Sequence, residues 1–407
     1  MRKFDKTSRY YISTPGIILN SVLIVLFFAM AICLYIFPSK ILSQEVINYY
    51  SETIFPIIAL PFNSFSGFFM QSITELFAVV GSGALLIYVI YFVIKSIVVA
   101  VRRGGRSFCK YFLTRIRILA SLTLIGVILF QLMIGLNYSR TPMSVRLKLD
   151  GVSFNGEGYS CEQYMEALDW AYFEMLSARS ELGEDYNGVA HMCTSFDMAV
   201  YDANSIILGM DDYFYLGLSP TYVRVKPVML SYLWSYTGIT GFYCAFLGES
   251  NINVDYMDIL HFPVTLCHEI IHAKGYSREY DANTAAVIAC IESSRPDFRY
   301  AGYYYIFMNL YGITKEYAEH EGVSIPDYFS YPDFDMVRAD IRASAKYDET
   351  LDWNELTNFI NSFSEDVNDA YLKSNKQDGG TETYQVPPNL YVDFYYTYVP
   401  GAGNVSN

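Results

Sequence analysis

The sequence predicts a membrane-anchored α+β protein, in which three N-terminal transmembrane helices precede a mainly helical domain with a small sheet. Apolar residues make up 52% of the 407 residues and charged residues only 17%, which is too apolar for an ordinary soluble chain. The long uncharged runs all lie in the first third, and charges and turn residues become regular after about Tyr138. We expect a membrane domain over 1–137, a folded domain over 138–399 and a disordered tail over 400–407.

Three apolar runs have the length of a membrane-spanning helix. They cover about residues 16–37, 76–94 and 118–136, and none contains a charged residue. An α-helix needs ~20 such residues to cross the hydrocarbon of a bilayer. The first run ends in Phe37-Pro38-Ser39-Lys40 rather than at a small-residue cleavage site. We therefore expect an uncleaved anchor and not a signal peptide.

The distribution of basic residues predicts the orientation. Lys40 is the only basic residue between the first two runs. Six basic residues lie close together between the second and third runs: Arg102, Arg103, Arg106, Lys110, Arg115 and Arg117. The positive-inside rule then places the N-terminus in the cytoplasm and everything after the third run outside it. The lipid bilayer is thus one expected partner.

Overall charge and cysteine content exclude some classes of protein. The net charge is −14, and no basic stripe appears in the second half, so we expect no nucleic-acid partner. The seven cysteines show no CxxC spacing, which argues against a cysteine zinc site or a thioredoxin-like motif. Cys161 and Cys193 could pair if their domain faces an oxidising space; free thiols are the alternative.

The second half contains a helix, a hairpin and a helix pair with clear local signals. Apolar residues recur at helical spacing over 162–180, and two short strands are expected between Thr240 and Val254. A helix is expected from Val264 to Ala273. Gly275 should end that helix, and Ser277 should be the N-cap of a second helix that runs to about residue 293.

His268 and His272 stand four residues apart, and Glu269 directly follows the first. On a helix this spacing puts both rings on one face, where they can share one Zn²⁺ at ~2.0–2.1 Å. Glu269 can then reach a water at the metal without ligating it. This HExxH pattern is typical of zinc peptidases, in which the glutamate is the general base. The alternative is a chance match, because the motif fixes only three of its five residues and the helix could simply pack in a core.

A catalytic zinc needs three protein ligands and one open position. The second helix offers Glu279 and Asp281 in its first turn, and a reversal at Gly275 would bring them back to the histidines. Residues two apart on a helix face different ways, so only one of them is expected at the metal. We take Glu279 as the third ligand and Asp281 as the alternative, with one Zn²⁺ per chain.

The segment from Thr265 to Ala286 resembles DUF3810, a bacterial family of uncharacterised membrane proteins grouped with the zincin-like peptidases. The resemblance continues through Asn137-Tyr-Ser-Arg-Thr-Pro, Lys226-Pro-Val, Tyr236-Thr-Gly-Ile-Thr-Gly-Phe-Tyr and Phe298-Arg-Tyr-Ala-Gly-Tyr. The three apolar runs also match that family's layout. The resemblance implies a zincin-like fold for the domain over 138–399.

The resemblance also bears on individual residues. Glu279-Tyr-Asp-Ala-Asn283 is similar to the Glu-x-x-Ala-Asp/Asn element that supplies the third ligand in other zincins. It implies that Glu279 is a ligand and that Asn283 supports the ligand shell. In other zincins this element usually lies further from the second histidine than the seven residues seen here.

Further residues carry weaker expectations. Arg299 and Tyr300 follow the second helix and could polarise a carbonyl or stabilise an oxyanion; a structural arginine paired with a carboxylate is the alternative. Zincins bind the substrate as an added strand at a sheet edge, and the hairpin from Gly241 to Val254 is the candidate. An ordinary buried hairpin is the alternative.

Two functions remain in competition at the level of sequence. The first is a zinc metallopeptidase that cleaves a protein or peptide substrate at the outer face of the membrane. The second is a non-catalytic, zinc-stabilised receptor or interaction domain. Glu269 favours the first, because a purely structural zinc site needs no general base.

Overall fold

The computed structural model describes residues 12–149, 158–256, 258–375, 377, 379–384 and 386–402, and they are mostly helical. From residue 403 onward, the tail that we predict to be disordered lies outside the described residues. The helices of the N-terminal part are α1 (Thr14–Ile36), α2 (Pro38–Ile41), α3 (Gln44–Tyr49), α4 (Phe55–Gly67), α5 (Ile73–Arg103) and α6 (Gly105–Phe130).

Three of these helices are long and apolar enough to cross a membrane, as predicted. They are α1, α5 and α6, and short turns carry the last one on to Ser139. Ser13 and Ser72 cap the first two, each accepting a hydrogen bond from a backbone N–H of the first turn. The predicted loop between the second and third spans is reduced to Gly104, whose φ of 78° permits a tight reversal. The basic residues that we expected in that loop lie instead at the end of α5 and in the first half of α6.

The second part of the chain adds ten helices and a sheet within the described residues. The strands are β1 (Val225–Pro227), β2 (Gly241–Cys244) and β3 (Glu249–Ile252), in the order β1-β3-β2. The helices are α7 (Met143–Arg146), α8 (Cys161–Ser180), α9 (Phe196–Phe214), α10 (Ser231–Ser235), α11 (Phe262–Ala273), α12 (Glu279–Ile291), α13 (Pro296–Glu321), α14 (Asp335–Thr350), α15 (Glu355–Ser374) and α16 (Pro388–Tyr398).

The elements predicted near the motif are present. Strand β3 pairs in parallel with β1 and antiparallel with β2, where Gly241 faces Ile252. The expected helix over 162–180 is α8, and the expected helix pair is α11 and α12. Cys161 and Cys193 are both free thiols, one buried and the other exposed.

The N-cap expected for the second helix of the pair is wrong. Arg278 occupies that position, without a side-chain cap. The Ser277 hydroxyl instead donates 3.0 Å to the carbonyl of Ile134, at the end of the third span. It is buried there, so the local capping preference gives way to a contact across the fold.

The start of the second span is fixed to the sheet by buried charges. Glu249 accepts from Lys226 Nζ at 2.6 Å and from the backbone N–H of Thr74 at 2.9 Å. The Glu75 carboxylate accepts from the backbone N–H groups of Met229 and Leu230, each at 2.8 Å. Buried charges persist only when they are paired and hydrogen-bonded. These contacts therefore hold the spans and the second part together.

The turn between α11 and α12 is pinned by a buried arginine. Gly275 has a φ of 104°, which favours glycine and lets the chain reverse. Arg140 donates to the Gly275 carbonyl at 3.1 Å, and its guanidinium lies 3.8 Å from the ring centre of Tyr276. Arg140 also donates to the carbonyls of Leu216 and Gly217. The reversal predicted at Gly275 is therefore fixed from the end of the third span.

Candidate metal centre

Helix α11 sits in the core, which fixes the direction of its side chains. Leu266, Ile270 and Ile271 are fully buried in the main apolar cluster. His268 and His272 are 7% and 8% exposed and line a cavity of about 430 Å³. Because residues four apart share a helix face, packing of the apolar face turns both imidazoles into this cavity.

Glu279, from the first turn of α12, completes a cluster with the two histidines. Its Oε2 lies 3.1 Å from His268 Nε2 and 3.3 Å from His272 Nε2. The three side chains can place one ligand atom each within 4.8 Å of one another, and all three are buried. The two imidazole planes are nearly perpendicular, with ring centres 4.4 Å apart.

Hydrogen bonds to the other ring nitrogens fix both tautomers. His272 Nδ1 lies 2.7 Å from the carbonyl of Tyr276, which can only accept, so this nitrogen carries a proton. His268 Nδ1 lies 2.7 Å from Asn283 Oδ1. The Asn283 amide donates 2.6 Å to the Tyr384 carbonyl, which leaves its oxygen to accept from His268. In its neutral form each ring therefore presents the lone pair of Nε2 to the cluster.

The two lone pairs and the carboxylate are all hydrogen-bond acceptors. They can therefore approach one another only if a proton or a metal cation lies between them. Burial is the largest single effect on the pKa of His272 and acts to lower it, but the charge and hydrogen bond of Glu279, together with the charge of Glu269, outweigh burial and the pKa is raised. The same pairing lowers the pKa of Glu279 against the effect of burial. Burial, followed by the charge of His272, lowers the pKa of His268. In the metal-free cluster, therefore, one proton, held mainly by His272, is enough to bond the imidazoles to the Glu279 carboxylate.

Glu269 stands beside this cluster with an unpaired carboxylate oxygen. Its Oε2 is buried and has no hydrogen-bond partner among the described residues. Burial raises the pKa of Glu269 to about 8, with His272 acting to lower it and Glu279 to raise it. Burial of an ionisable group without a partner is costly, so Glu269 is a candidate functional residue.

Strand β2 passes close to Glu269. A Cβ atom at Gly241 would lie 2.7 Å from Glu269 Oε1 and 3.0 Å from Thr265 Cγ2, so only glycine fits without displacement. Behind the helix, Ser250 Oγ donates 2.8 Å to the Glu269 carbonyl and holds β3 against it. The sheet therefore sets the position of the carboxylate.

The predicted edge strand borders the cavity. Residues 238–243 line it opposite α11, and β2 is a terminal strand of the sheet. In β2 the residues are half-buried, whereas those of the central β3 are buried. Strand β2 is therefore the less buried strand of the hairpin, and a terminal strand of this kind can accept an added strand.

Asp281 points away from the cluster. Its carboxylate accepts from the backbone N–H of Met143 and from Arg278 Nε, each at 2.7 Å. It is 1% exposed and ties α12 to the chain that leaves the third span. Of the two carboxylates considered from the sequence, only Glu279 is brought to the histidines.

Arg299 and Tyr300 do not lie at the cavity, which corrects their expected placement. Arg299 donates to the carbonyls of Ser293 and Ser294, where α12 ends, and pairs with Glu181 at 2.6 Å. Its role matches the structural alternative. The Tyr300 hydroxyl is buried and donates 2.8 Å to Asp340. Both residues lie near the start of α13, and their side chains contact Glu181, just after α8, and Asp340, in α14, rather than the histidines.

Several cavity residues were not found from the sequence. They are Tyr138, Tyr305, Asn368, Tyr371 and Tyr384. Burial and then the charge of Glu279 raise the pKa of Tyr384, so its hydroxyl stays protonated at neutral pH. The hydroxyl accepts from Asn368 Nδ2 at 3.4 Å. Tyr138 alone lay in a segment marked by a family resemblance; the others have no spacing that relates them to the histidines.

Comparison with known families gives one match. The family described as "Protein of unknown function (DUF3810)" matches residues 50–392. The chain belongs to the DUF3810 family. The match covers the second and third spans, strand β2, and the three cluster residues, so the centre lies within the DUF3810 region. Neither the curated proteins nor the solved structures contain a match.

Proposed function

We propose that this protein is a membrane-bound zinc metallopeptidase, with a zincin-like domain that hydrolyses a peptide bond of a protein or peptide substrate. The observation that carries the proposal is the convergence of two imidazole lone pairs and one carboxylate beside an unpaired glutamate. His268, His272 and Glu279 would hold one Zn²⁺, and Glu269 would be the general base. Two histidines and one carboxylate form a ligand set of catalytic zinc sites, which keep a fourth position open.

The donor set fits zinc better than a hard cation. Imidazole nitrogens suit Zn²⁺, whereas Ca²⁺ and Mg²⁺ prefer oxygen ligands alone. The carbonyl of Tyr276 and the amide of Asn283 support the ligands from behind, as is usual at metal sites. A bound zinc would polarise the scissile carbonyl and lower the pKa of water.

Glu269 supplies the proton transfers in this proposal. Burial raises the pKa of Glu269 to about 8 in the metal-free cavity, and a bound zinc would lower that pKa again, so that the ionised carboxylate could accept a proton and return it. It would take a proton from water and pass it to the leaving amine. The cavity shields the carboxylate, and Gly241 lets it lie against the strand that borders the cavity.

Two further features of the cavity, the edge of β2 and the Tyr384 hydroxyl, could interact with a polypeptide substrate. A substrate in extended conformation would add to the free edge of β2 through main-chain hydrogen bonds. The Tyr384 hydroxyl keeps its proton at neutral pH and can donate to an oxyanion that develops in the cavity. Such a donor contributes only in the transition state, so its loss would lower turnover more than binding.

We further propose a bacterial cell-membrane protein whose N-terminus is cytoplasmic and whose second part lies outside. The asymmetry of basic residues supports this, because the ends of α5 and α6 that meet at Gly104 carry the arginines. An alkaline phosphatase fusion at the C-terminus should be active in cells, and a fluorescent-protein fusion dark. The opposite pattern would invert the orientation.

The hydrolase proposal is tested with wild type and Glu269→Gln. The substitution keeps the shape and removes the base, so the variant should bind one zinc per chain. Membranes and culture medium from the two cell lines would be compared for new protein N-termini by mass spectrometry. We expect a set of cleavage products that only wild-type cells contain.

Arg299→Ala is the matched control, because Arg299 lies away from the cavity and should leave the cleavage products unchanged. Identical products from wild type and Glu269→Gln, with zinc fully bound in both, would exclude the peptidase. The non-catalytic zinc-stabilised interaction domain would then be the better account.

A further inference from the structure

Helix α15 has three distinct faces. One contributes Asn368 and Tyr371 to the wall of the cavity. A second is polar and acidic, with Asn358 and Glu365 exposed. The third is an apolar stripe of four residues at intervals of three or four, which places them on one face of the helix: Leu356, Phe359, Phe363 and Val367.

No residue in the described part of the chain covers the apolar stripe. Its four residues are 65%, 64%, 58% and 52% exposed in chain order, and Leu372 is the only buried residue in α15, all of which is described. Contiguous exposed apolar side chains of this size mark an interaction surface. The question is which partner covers them.

The C-terminal end of α15 is attached where two spans end. The hydroxyl of Tyr35, in the last turn of α1, donates 2.7 Å to the carbonyl of Ser374. The hydroxyl of Tyr138, at the end of the third span, donates 3.1 Å to that of Tyr371. This end of α15 is therefore held at the level where the chain leaves the apolar segments.

The N-terminal end of α15 is linked indirectly to α5, the second span. Trp353, just before the helix, packs edge-on against Tyr236 with ring centres 5.6 Å apart. Tyr236 follows α10, and the residues before α10 donate to Glu75, in the first turn of α5. The C-terminal end of α15 therefore contacts the ends of two spans directly, and its N-terminal end is linked to the start of α5 through α10.

We propose that α15 is an interfacial helix whose apolar stripe rests on the lipid bilayer. The stripe continues the lipid-facing surface of the spans, and the acidic face turns towards water. An acidic helix alone would bind lipid poorly, because interfacial helices usually carry basic residues. Attachment to the spans supplies the proximity that its composition does not. The cavity wall formed by Asn368 and Tyr371 would therefore lie at the membrane surface.

The experiment uses the full chain in nanodiscs of phosphatidylethanolamine and phosphatidylglycerol, with accessible native cysteines replaced. Nitroxide labels at Phe363→Cys and Val367→Cys probe the stripe, and labels at Asn358→Cys and Glu365→Cys are matched controls on the polar face. Each label is measured for collision with oxygen, which concentrates in lipid, and with a water-soluble nickel chelate. Circular dichroism checks that each labelled protein is folded.

We expect the two stripe labels to collide several-fold more with oxygen relative to nickel than the two controls. Equal nickel accessibility at all four positions would place the stripe in water and overturn the proposal. Stripe labels screened from both agents would mean that protein covers the stripe, either a second copy or another chain, and would equally overturn it. None of these outcomes depends on hydrolysis, so the proposal stands or fails apart from the proposed function.

Discussion

Asn283 holds His268 in one tautomer from the neighbouring helix. Its Oδ1 lies 2.7 Å from His268 Nδ1, and its amide nitrogen donates 2.6 Å to the carbonyl of Tyr384. The second contact decides which end of the amide faces the histidine, since the carbonyl can only accept. The ring of a cluster histidine from α11 is thus oriented by α12 and by a segment about a hundred residues further along the chain.

This relationship predicts the effect of Asn283→Ala. The variant loses the acceptor that orients the His268 ring, so zinc affinity should fall by about 10–100-fold, as for other residues that support metal ligands. Competition with a chromogenic chelator measures the affinity. Asn283→Asp keeps an acceptor and should lie between the alanine variant and wild type. Unchanged affinity in Asn283→Ala would remove this residue from the supporting shell.

The two carboxylates at the start of α12 should differ sharply. Glu279→Gln should weaken zinc binding much more than Asp281→Asn, because only Glu279 faces the histidines and Asp281 is satisfied by Met143 and Arg278. His268→Ala or His272→Ala should abolish stoichiometric binding. Metal content of the purified full chain, by plasma mass spectrometry, gives the ranking. The reverse order for the carboxylates would assign the third ligand to Asp281.

Gly241→Ala should impair hydrolysis without removing the metal. The new methyl group would lie 2.7 Å from Glu269 Oε1, so either the carboxylate or the strand must move. A displacement of that kind can cost about 10²-fold in rate. Accumulation of the cleavage products is the measurement, and Gly312→Ala, with open space around its Cβ position, is the control. Equal rates would show that the Glu269 position is not critical.

Zinc binding should release a proton at neutral pH. The raised pKa of His272 means that the metal-free cluster holds a proton below that pKa, and the metal needs the bare Nε2. Apparent zinc affinity should therefore rise with pH until the pKa of His272 is passed, and level off above it. Titration of the chelator-treated protein in weak buffer with a pH indicator measures the release. No proton uptake or release between pH 6 and 8 would contradict the assigned protonation.

Tyr300→Phe should affect stability and leave the centre intact. The variant removes a buried hydrogen bond to Asp340, which still accepts from Arg179 Nε at 2.6 Å. Loss of a hydrogen bond to a charged group costs about 1.5–3 kcal/mol. The midpoint of thermal unfolding should fall while zinc content and cleavage products stay at wild-type levels. A loss of cleavage in a folded, zinc-loaded Tyr300→Phe protein would return Tyr300 to the site.

Features that depend on local spacing could be predicted from the sequence. An uncharged run of some twenty residues can satisfy its backbone in lipid only as a helix, so the three long apolar helices follow from composition. The spacing of His268 and His272 puts them on one helix face wherever that helix lies. The β2–β3 hairpin and the turn at Gly275 likewise follow from neighbouring residues.

The tertiary structure alone decided which side chains meet. Glu279 and Asp281 both lie in the first turn of α12, and the packing of α12 against the turn held by Arg140 directs Glu279 to the histidines. Tyr384 lines the cavity although it lies about a hundred residues after Glu279. Tyr300 is buried in the core, where its hydroxyl donates to Asp340. Such contacts depend on how buried faces of separate helices fit together, which no spacing within one segment encodes.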